Sequence, residues 1–221
     1  MKQGFLHQYF LNNPHKRLHK WFHYFDIYER HFDRFREKKP VILEIGVKGG
    51  GSLMMWKAYF GVGAQVIGLD IDPACARHAN DGFDIFIGSQ DDPCVLGSIL
   101  KKYPRVDIVI DDGGHVCSQQ TASFLYLYSK VSEYGVYLVE DVHTSYWEDY
   151  GGGLNCAGSF VEFAKSKIDE INACHHRGGK PSGFTRSTDA ILFYDSVVVF
   201  EKRPQGKRQA RISGPMLGED Q

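Results

Sequence analysis

Val41-Ile42-Leu43-Glu44-Ile45-Gly46 decides the fold, because a run of apolar residues passes directly into a turn rich in glycine. The turn is Val47-Lys48-Gly49-Gly50-Gly51-Ser52, and residues 53–60 have the composition of a helix that follows it. A continuous apolar run of this length is typical of a strand buried in a parallel sheet. Glycines let the backbone approach a ligand closely, and a helix N-terminus favours an electronegative group. This stretch therefore predicts a strand, a ligand-binding turn and a helix.

The next apolar run, Gln65-Val66-Ile67-Gly68-Leu69-Asp70, ends in an acid 24 residues after Gly46. An acid at this place can accept hydrogen bonds from both ribose hydroxyls of a nucleoside. The nucleoside could belong to NAD, whose fingerprint is G-x-G-x-x-G. The chain instead has Glu44-x-Gly46-x-x-x-Gly50-x-Ser52, with an acid before the first glycine, which argues against a dinucleotide.

Two further strand ends carry acids and a histidine. Asp112-Gly113-Gly114-His115 follows the apolar run 106–110, and Glu140-Asp141 follows the run 136–139. In open α/β sheets the ligand site lies outside the carboxyl ends of the strands, so these groups should meet at one crevice. Clustered carboxylates repel unless a cation or a proton lies between them, and a hard divalent cation suits oxygen ligands. Strand alternation allows only one of Asp111 and Asp112 to face that crevice, and the other then caps the following helix.

The remaining pattern alternates strands and helices, as a doubly wound, mostly parallel α/β sheet requires. Asp72-Pro73 and Asp92-Pro93 are signals for the start of helices. Ala190–Tyr194 and Ser196–Phe200 predict a terminal hairpin that turns at Asp195. Further strands are predicted near 83–87, 106–111 and 135–140, and helices over 52–60, 74–79, 92–102, 117–132 and 159–172.

The N-terminal part carries a helical stripe that predicts a helix over 14–38, with Asn13 as its cap and Pro14 at its first position. Its apolar members are Leu18, Trp21, Phe22, Phe25, Tyr28, Phe32 and Phe35. Such a helix covers the sheet or forms a contact between subunits of a homo-oligomer, and His23 and Tyr24 on it are candidates for a substrate pocket. At the other end, residues 203–221 are poor in apolar side chains, which predicts a disordered tail.

Composition narrows the class of protein. A chain of 221 residues with 43% hydrophobic residues fits one globular domain, and a formal net charge of -1 gives no reason to expect nucleic acid as a partner. The sequence shows no apolar run long enough for a membrane span and no signal-peptide pattern. Its five cysteines form no C-x-x-C pair, which suits reduced thiols in the cytoplasm. Cys174-His175-His176 lacks a second ligand cluster at zinc-finger spacing, so a loop is the favoured interpretation.

Residues 41–201 resemble the small metal-dependent, S-adenosylmethionine (SAM)-dependent O-methyltransferases of class I. This family includes the macrolide-sugar, rhamnosyl and cephalosporin-tailoring enzymes. The motifs that carry it are Leu43–Val47, Ile110–His115, Glu140–Tyr146 and Phe193–Val199. The resemblance implies a Rossmann-like, seven-stranded sheet with a C-terminal hairpin and an added N-terminal helix. The segments 1–13 and 203–221 lie outside the resemblance. We expect the chain to divide into an N-terminal helical segment (1–38), a methyltransferase domain (39–202) and the tail (203–221).

The resemblance also implies roles for individual residues. It places Mg²⁺, with Mn²⁺ as a substitute, on Asp112, Glu140 and Asp141, and it makes His115 the general base. His143 is either a second base or acceptor contact, or a solvated loop histidine. For SAM, the predicted contacts are Glu44, Gly46, Gly50, Ser52, Asp70, Gln90, Asp91 and Asp111. Glu44 is expected to support the turn rather than to act as a catalyst, and Asp91 either contacts the adenine or caps a helix.

The expected reaction moves the SAM methyl group to a hydroxyl of a sugar, a glycan or a sugar-containing natural product. A metal lowers the pKa of such a hydroxyl, and a neutral histidine can then take its proton. The aromatic residues Tyr146, Trp147 and Tyr150 precede Gly151-Gly152-Gly153, and they either stack on a sugar face or anchor a loop. Two alternatives stay open, namely a phenol or catechol acceptor and a non-catalytic SAM-binding protein.

Overall fold

A computed structural model describes residues 4–214 of the chain. The strands are β1 (Val41–Ile45), β2 (Gln65–Asp70), β3 (Asp84–Ile87), β4 (Val106–Asp111), β5 (Val131–Val139), β6 (Thr188–Tyr194) and β7 (Val197–Lys202). The helices are α1 (Phe5–Leu11), α2 (Tyr24–Phe32), α3 (Gly51–Phe60), α4 (Pro93–Lys102), α5 (Cys117–Leu127), α6 (Phe160–Ile171) and α7 (Gly183–Ser187). None of the helices in residues 4–214 is long and apolar enough to cross a membrane.

All seven strands form one sheet in the order β3-β2-β1-β4-β5-β7-β6. The first five strands pair in parallel, and β7 is antiparallel to both β5 and β6. The order reverses between β1 and β4, which is the switch point where ligands bind in sheets of this kind. The predicted α/β fold, with a mostly parallel seven-stranded sheet and a C-terminal hairpin, is confirmed.

Two apolar layers cover the sheet, one on each face. Alternation along β4 divides them, since Ile108 and Ile110 pack with α2 and α3 on one face, while Val109 packs with α4, α5 and α6 on the other. The largest side chain of the first layer is Trp56, which is fully buried against Tyr28 and Phe32. Burial on both faces explains why the parallel strands read as continuous apolar runs.

The proline signals for helix starts are confirmed. Asp92 caps α4 by accepting a hydrogen bond from the backbone N–H of Cys94, with Pro93 at the first position. Asp72 caps residues 73–81 in the same way, although that segment is a 3₁₀ helix. The predicted helix over 117–132 is too long, because α5 ends at Leu127 and β5 already begins at Val131.

The added N-terminal helix is confirmed, but its predicted extent is wrong. Residues 14–23 contain no helix, and α2 begins only at Tyr24. Asn13 does not cap a helix there. Its side chain instead accepts a hydrogen bond from the N–H of His15 and donates one to the carbonyl of Lys16, at 3.0 and 2.7 Å. This local turn competes with helix formation, as Asn side chains commonly do.

Other predictions about the ends of the chain have mixed outcomes. Helix α1 was not predicted, since residues 1–13 lay outside the recognised pattern. Within the predicted tail, residues 203–214 contain neither helix nor strand, and residues 215–221 lie outside the described part of the chain. The division into segments at 38 and 202 stays a prediction.

Candidate active site

A cavity of about 560 Å³ lies at the carboxyl ends of β1, β2, β4 and β5. Its wall combines the glycine turn after β1, Asp70, the loop 88–90 and the acidic ends of β4 and β5. Residues 17–21 and Tyr24 of the N-terminal segment close one side of it. The sheet thus brings the two predicted halves of the site, the nucleoside half and the acidic half, into one cavity.

Asp70 is held by the backbone of the glycine turn. Its Oδ2 accepts hydrogen bonds from the N–H groups of Val47 and Lys48, both at 2.8 Å, and its Oδ1 accepts one from Asp72 at 2.9 Å. Burial opposes ionisation, but these backbone donors lower the pKa of Asp70 below its ordinary value. Asp70 is therefore an ionised acceptor in the cavity wall, next to the turn.

The glycines of the turn have different surroundings. Gly46 has a φ of +93°, and a Cβ there would lie 2.0 Å from the backbone oxygen of Asp112, so only glycine lets the turn approach the acidic loop. Gly50 has a φ of +73°, and a Cβ there would meet the ring of His78 at 2.6 Å. Gly46 lines the cavity, whereas Gly50 lies behind its wall and Gly49 and Gly51 line it instead.

Glu44 supports the turn from below. Its buried carboxylate accepts hydrogen bonds from Ser52 Oγ at 2.8 Å and from Trp56 Nε1 at 3.1 Å. Burial raises the pKa of Glu44 to about 7, against the opposing effect of Lys20. Ser52 lines the cavity and Glu44 does not. This arrangement gives Glu44 the supporting place expected from the sequence.

Gln90 joins the loop after β3 to the acidic loop after β4. Its amide nitrogen donates to Asp111 Oδ1 at 2.9 Å and to Ser123 Oγ at 2.8 Å, and its oxygen accepts from the N–H of Gly114 at 2.9 Å. Asp111 is fully buried, and this burial raises its pKa to about 7. Asp111 therefore faces α5 rather than the cavity. Asp91 also lies outside the wall, where it accepts a hydrogen bond from Ser89.

The acidic loops place three donor groups together in the cavity. Atoms of Asp112, His115 and Asp141 lie within 4.8 Å of one another. His115 Nε2 is 3.9 Å from Asp112 Oδ1 and 3.6 Å from Asp141 Oδ2. Oxygen donors at this spacing fit a hard divalent cation, with the histidine beside it.

Glu140 lies deeper than the other two acids. Its side chain is 1% exposed, and its Oε1 has no hydrogen-bond partner among the described residues. Burial and the neighbouring Asp112 raise the pKa of Glu140, and Lys20 opposes that increase. An under-paired buried carboxylate is costly, so the cluster is suited to a cation.

A lysine that the sequence pattern had assigned to a helix enters this cluster. Lys20 Nζ donates to Asp112 Oδ2 at 2.5 Å and to Glu140 Oε2 at 2.8 Å. Burial works against its charge, but the carboxylates of Asp112 and Glu140 raise the pKa of Lys20 above its ordinary value. No local signal identifies this contact, because its partners lie 92 and 120 residues away in sequence.

Tyr24 is a second contact from the N-terminal segment. Its hydroxyl donates to Asp141 Oδ1 at 2.7 Å and so fixes the orientation of that carboxylate. The sequence had marked Tyr24 as a pocket candidate, and the structure places it in the cavity wall. His23, the other candidate on this segment, points to the hairpin, where its Nε2 lies 3.1 Å from the carbonyl oxygen of Asp195.

The histidine and one of the three acids sit on strained backbone. His115 and Asp141 have left-handed φ angles of 56° and 52°. A hydroxyl from the neighbouring Thr144 holds both loops, since it donates to the carbonyl of His115 at 2.8 Å and to that of Asp141 at 3.0 Å. Left-handed non-glycine residues often occur where the surrounding structure aims a side chain for function.

Half-exposed aromatic residues form the rim beside the acids. Trp21 is 53% exposed and Trp147 is 50% exposed. The ring of His143 lies between them, with centroids 6.5 Å from Trp21 and 4.8 Å from Trp147. His143 Nδ1 lies 2.5 Å from Ser196 Oγ and 4.0 Å from Asp141 Oδ1, and His143 itself is outside the cavity wall. Trp21, His143 and Trp147 are called the aromatic rim below.

Comparison with known proteins connects this geometry to a family. The chain is 39% identical over 189 residues to demethylmacrocin O-methyltransferase of Streptomyces fradiae and 37% identical over 181 residues to mycinamicin VI 2''-O-methyltransferase of Micromonospora griseorubida. It is 34% identical over 187 residues to the 8-demethyl-8-alpha-L-rhamnosyl tetracenomycin-C 2'-O-methyltransferase of Streptomyces olivaceus. The chain belongs to the class I O-methyltransferase family of these enzymes. No family model matches it.

Solved structures agree with this family assignment. The MycE methyltransferase of the mycinamycin pathway, in complex with Mg and SAH, aligns with a TM-score of 0.79 and 32% identity, over 97% of this chain and 56% of that one. A putative caffeoyl-CoA O-methyltransferase of Staphylococcus aureus, at 13% identity and a TM-score of 0.53, shares the fold alone.

The methyltransferase relatives are longer than this chain. The alignments cover 79%, 77% and 80% of this chain but only 47%, 41% and 49% of the three curated relatives, in the order given above. The chain therefore spans about half the length of the curated relatives it matches.

Proposed function

We propose that this chain is a metal-dependent methyltransferase that moves the methyl group of SAM to a hydroxyl of a sugar or of a sugar-containing natural product. The observation that carries the proposal is the single cavity that joins the glycine turn and Asp70 to Asp112, His115 and Asp141. A non-catalytic SAM-binding protein would have no need of a histidine beside paired carboxylates in the same cavity.

The nucleoside half of the cavity supports SAM as the cofactor. Asp70 would accept the ribose hydroxyls, since backbone donors keep it ionised at the cavity wall. Because Gly46 has no side chain, the glycine turn packs directly against the backbone of Asp112. The methionine part of SAM would lie close to this turn. The reacting methyl group would then lie toward the acidic loops.

The acidic half of the cavity supports Mg²⁺ as the metal, with Asp112, Asp141 and Glu140 as its ligands. When bound, the ion lowers the pKa of an acceptor hydroxyl, and SAM supplies a methyl group already activated on sulfur. His115 would accept the hydroxyl proton at Nε2, the nitrogen that faces Asp112 and Asp141. Both carboxylates lie within 4 Å of that nitrogen and would stabilise the imidazolium that forms. The hydroxyl of Tyr24 donates to Asp141 Oδ1 and so would keep Oδ2 of the same carboxylate turned toward His115.

The aromatic rim supports a sugar as the acceptor. Indole faces pack well against apolar C–H faces of a ligand while their N–H groups stay available for polar contacts. Trp21 lines the cavity, and Trp147 contacts His143, whose Nδ1 is 4.0 Å from Asp141 Oδ1; each indole is about half exposed. The names of two relatives describe O-methyl transfer to a rhamnosyl tetracenomycin and to mycinamicin VI, and the first of these is consistent with a sugar acceptor.

A binding and turnover experiment tests the proposal. Calorimetry should detect binding of SAM and none of NAD. Methyl transfer from labelled SAM to a panel of deoxyhexose glycosides, free glycans and catechols should require Mg²⁺, and EDTA should abolish turnover while SAM still binds. Full turnover in EDTA would refute the metal dependence, and transfer to catechols alone would refute the sugar acceptor. Failure to bind SAM would refute the function as a whole.

A further inference from the structure

Lys20 occupies the place where a cation is needed in the acidic cluster. We propose that Lys20 is a built-in competitor of the metal, which holds Asp112 and Glu140 in the metal-free enzyme and leaves Glu140 when a divalent cation binds. The inference rests on the metal-dependent function proposed above. It adds that metal binding rearranges the N-terminal segment 14–23, which carries this lysine.

The ammonium and a metal ion cannot share Glu140. Lys20 Nζ lies 2.8 Å from Glu140 Oε2, and the side chains of both residues are almost fully buried, at 3% and 1% exposure. A magnesium ion binds oxygen ligands at about 2.0–2.1 Å. Two cations on one buried carboxylate would repel each other strongly, because burial lowers the effective dielectric constant around them. Glu140 can therefore serve the lysine or the metal, but not both.

The charges of the cluster favour the metal. A single ammonium pairs with Asp112 and Glu140, while Asp141 lies beside Asp112 in the same cluster and the other oxygen of Glu140 has no hydrogen-bond partner among residues 4–214. A divalent cation compensates twice the charge of the ammonium and can bind several of these oxygens at once. The lysine can also leave easily, because its side chain has a flexible stem and residues 14–23 contain no helix or strand.

Movement of Lys20 would affect both sides of the cavity. Its neighbour Trp21 lines the cavity and contacts the ring of His143 in the aromatic rim. Four residues earlier, the backbone oxygen of Arg17 lies against the glycine turn, where a Cβ on Gly51 would approach it to 2.5 Å. Metal binding would thus first change the position of Trp21 in the aromatic rim. The segment 14–23, which carries Trp21, also contacts the glycine turn.

The first experiment measures metal binding alone. Calorimetric titration of MgCl₂ or MnCl₂ into enzyme without SAM or acceptor compares wild type with K20M, K20R and K48M. K20M removes a directly competing ion pair, so this variant should bind the metal roughly tenfold or more tightly than wild type. K20R keeps a cation in the cluster and should stay near wild type. K48M is the control, because exposed Lys48 lines the same cavity from the glycine turn.

The second experiment follows the segment in the folded wild-type enzyme, so that it does not depend on the stability of K20M. Titration with MgCl₂ should change the tryptophan emission. The variant W21F should lose most of that change, whereas W147F should keep it.

The outcomes separate this inference from the proposed function. Tight metal binding by wild type that K20M leaves unchanged or weakens would overturn the competitor role alone. A wild-type emission that does not respond to saturating metal would overturn the rearrangement, and with it the proposal. If neither wild type nor any variant binds Mg²⁺ or Mn²⁺, both the metal-dependent function and this inference are wrong.

Discussion

Replacing Gly46 with alanine tests whether the cofactor turn and the acidic loop are locked together. At Gly46 a Cβ would lie 2.0 Å from the oxygen and 2.6 Å from the carbonyl carbon of Asp112. Neither backbone can easily yield, because Gly46 N–H donates to Leu69 at 2.8 Å and Asp112 N–H donates to Ile45 at 2.9 Å. Both contacts lie directly past the paired ends of neighbouring parallel strands.

The expected cost has two parts. A left-handed φ costs an alanine about 1–2 kcal/mol. Forcing an extra methyl group into a packed site costs roughly 1–3 kcal/mol more. Gly82 is a matched control, since its φ is +86° and nothing lies within 4 Å of a Cβ built there. G82A should therefore lose only the first amount, and G46A should lose about 2–5 kcal/mol in total.

Urea denaturation of both variants measures these free energies of unfolding, and calorimetry measures their affinity for SAM. We expect G82A to bind SAM like wild type, whereas G46A should bind it much more weakly because the turn is pushed away from Asp112. If G46A is no less stable than G82A and binds SAM normally, the turn is free to move and the argument for close approach fails.

Three further predictions concern single side chains. D70A should weaken SAM binding by about 1–3 kcal/mol in calorimetry, because it removes an ionised acceptor and leaves backbone donors unpaired; an unchanged dissociation constant would reject its role. H115A should lower the turnover rate by about 10²–10⁴-fold with SAM and Mg²⁺ affinity retained, the range of a positioned proton acceptor, and a larger loss in H143A would reassign the base. Glu201 accepts a 2.5 Å hydrogen bond from His31, which lowers its pKa to about 2 from 4.5. A lowered carboxyl pKa stabilises the fold above pH 4.5 and loses that effect toward pH 2, so the stability gap between wild type and E201Q should shrink over that window; a constant gap in acid would contradict the pairing.

The sheet was predictable because its signals are local. The buried strands read as apolar runs, and Asp72 and Asp92 stand directly before prolines at the two helix starts. The acidic ends of β4 and β5 were predictable as one crevice because parallel strands end at the same edge. The choice between Asp111 and Asp112 was not settled by alternation alone, and the structure places Asp111 behind the wall.

The N-terminal segment was not predictable in the same way. Its apolar residues have helical spacing, yet Trp21 and Phe22 are more than half exposed and the backbone before Tyr24 is not helical. Contacts across the sequence hold this segment, among them the ion pairs of Lys20 with acids from two distant strands and of Lys16 with Asp81. Periodicity reports which face of a local element is apolar, and it carries no information about a contact made across 92 or 120 residues.

The hydrogen bonds of Gln90 to three residues, Asp111, Ser123 and Gly114, have a thermodynamic consequence. Gln90 lies in the loop that lines the cofactor half of the cavity, and its oxygen holds the N–H of Gly114, between the acidic residue Asp112 and the histidine His115. One planar amide thus spans both halves, so a change in one loop alters the free energy of the other. Such coupling is reciprocal by necessity. Whatever factor the metal adds to cofactor affinity, the cofactor must add to metal affinity, and neither ligand can be titrated as though the other half of the cavity were absent.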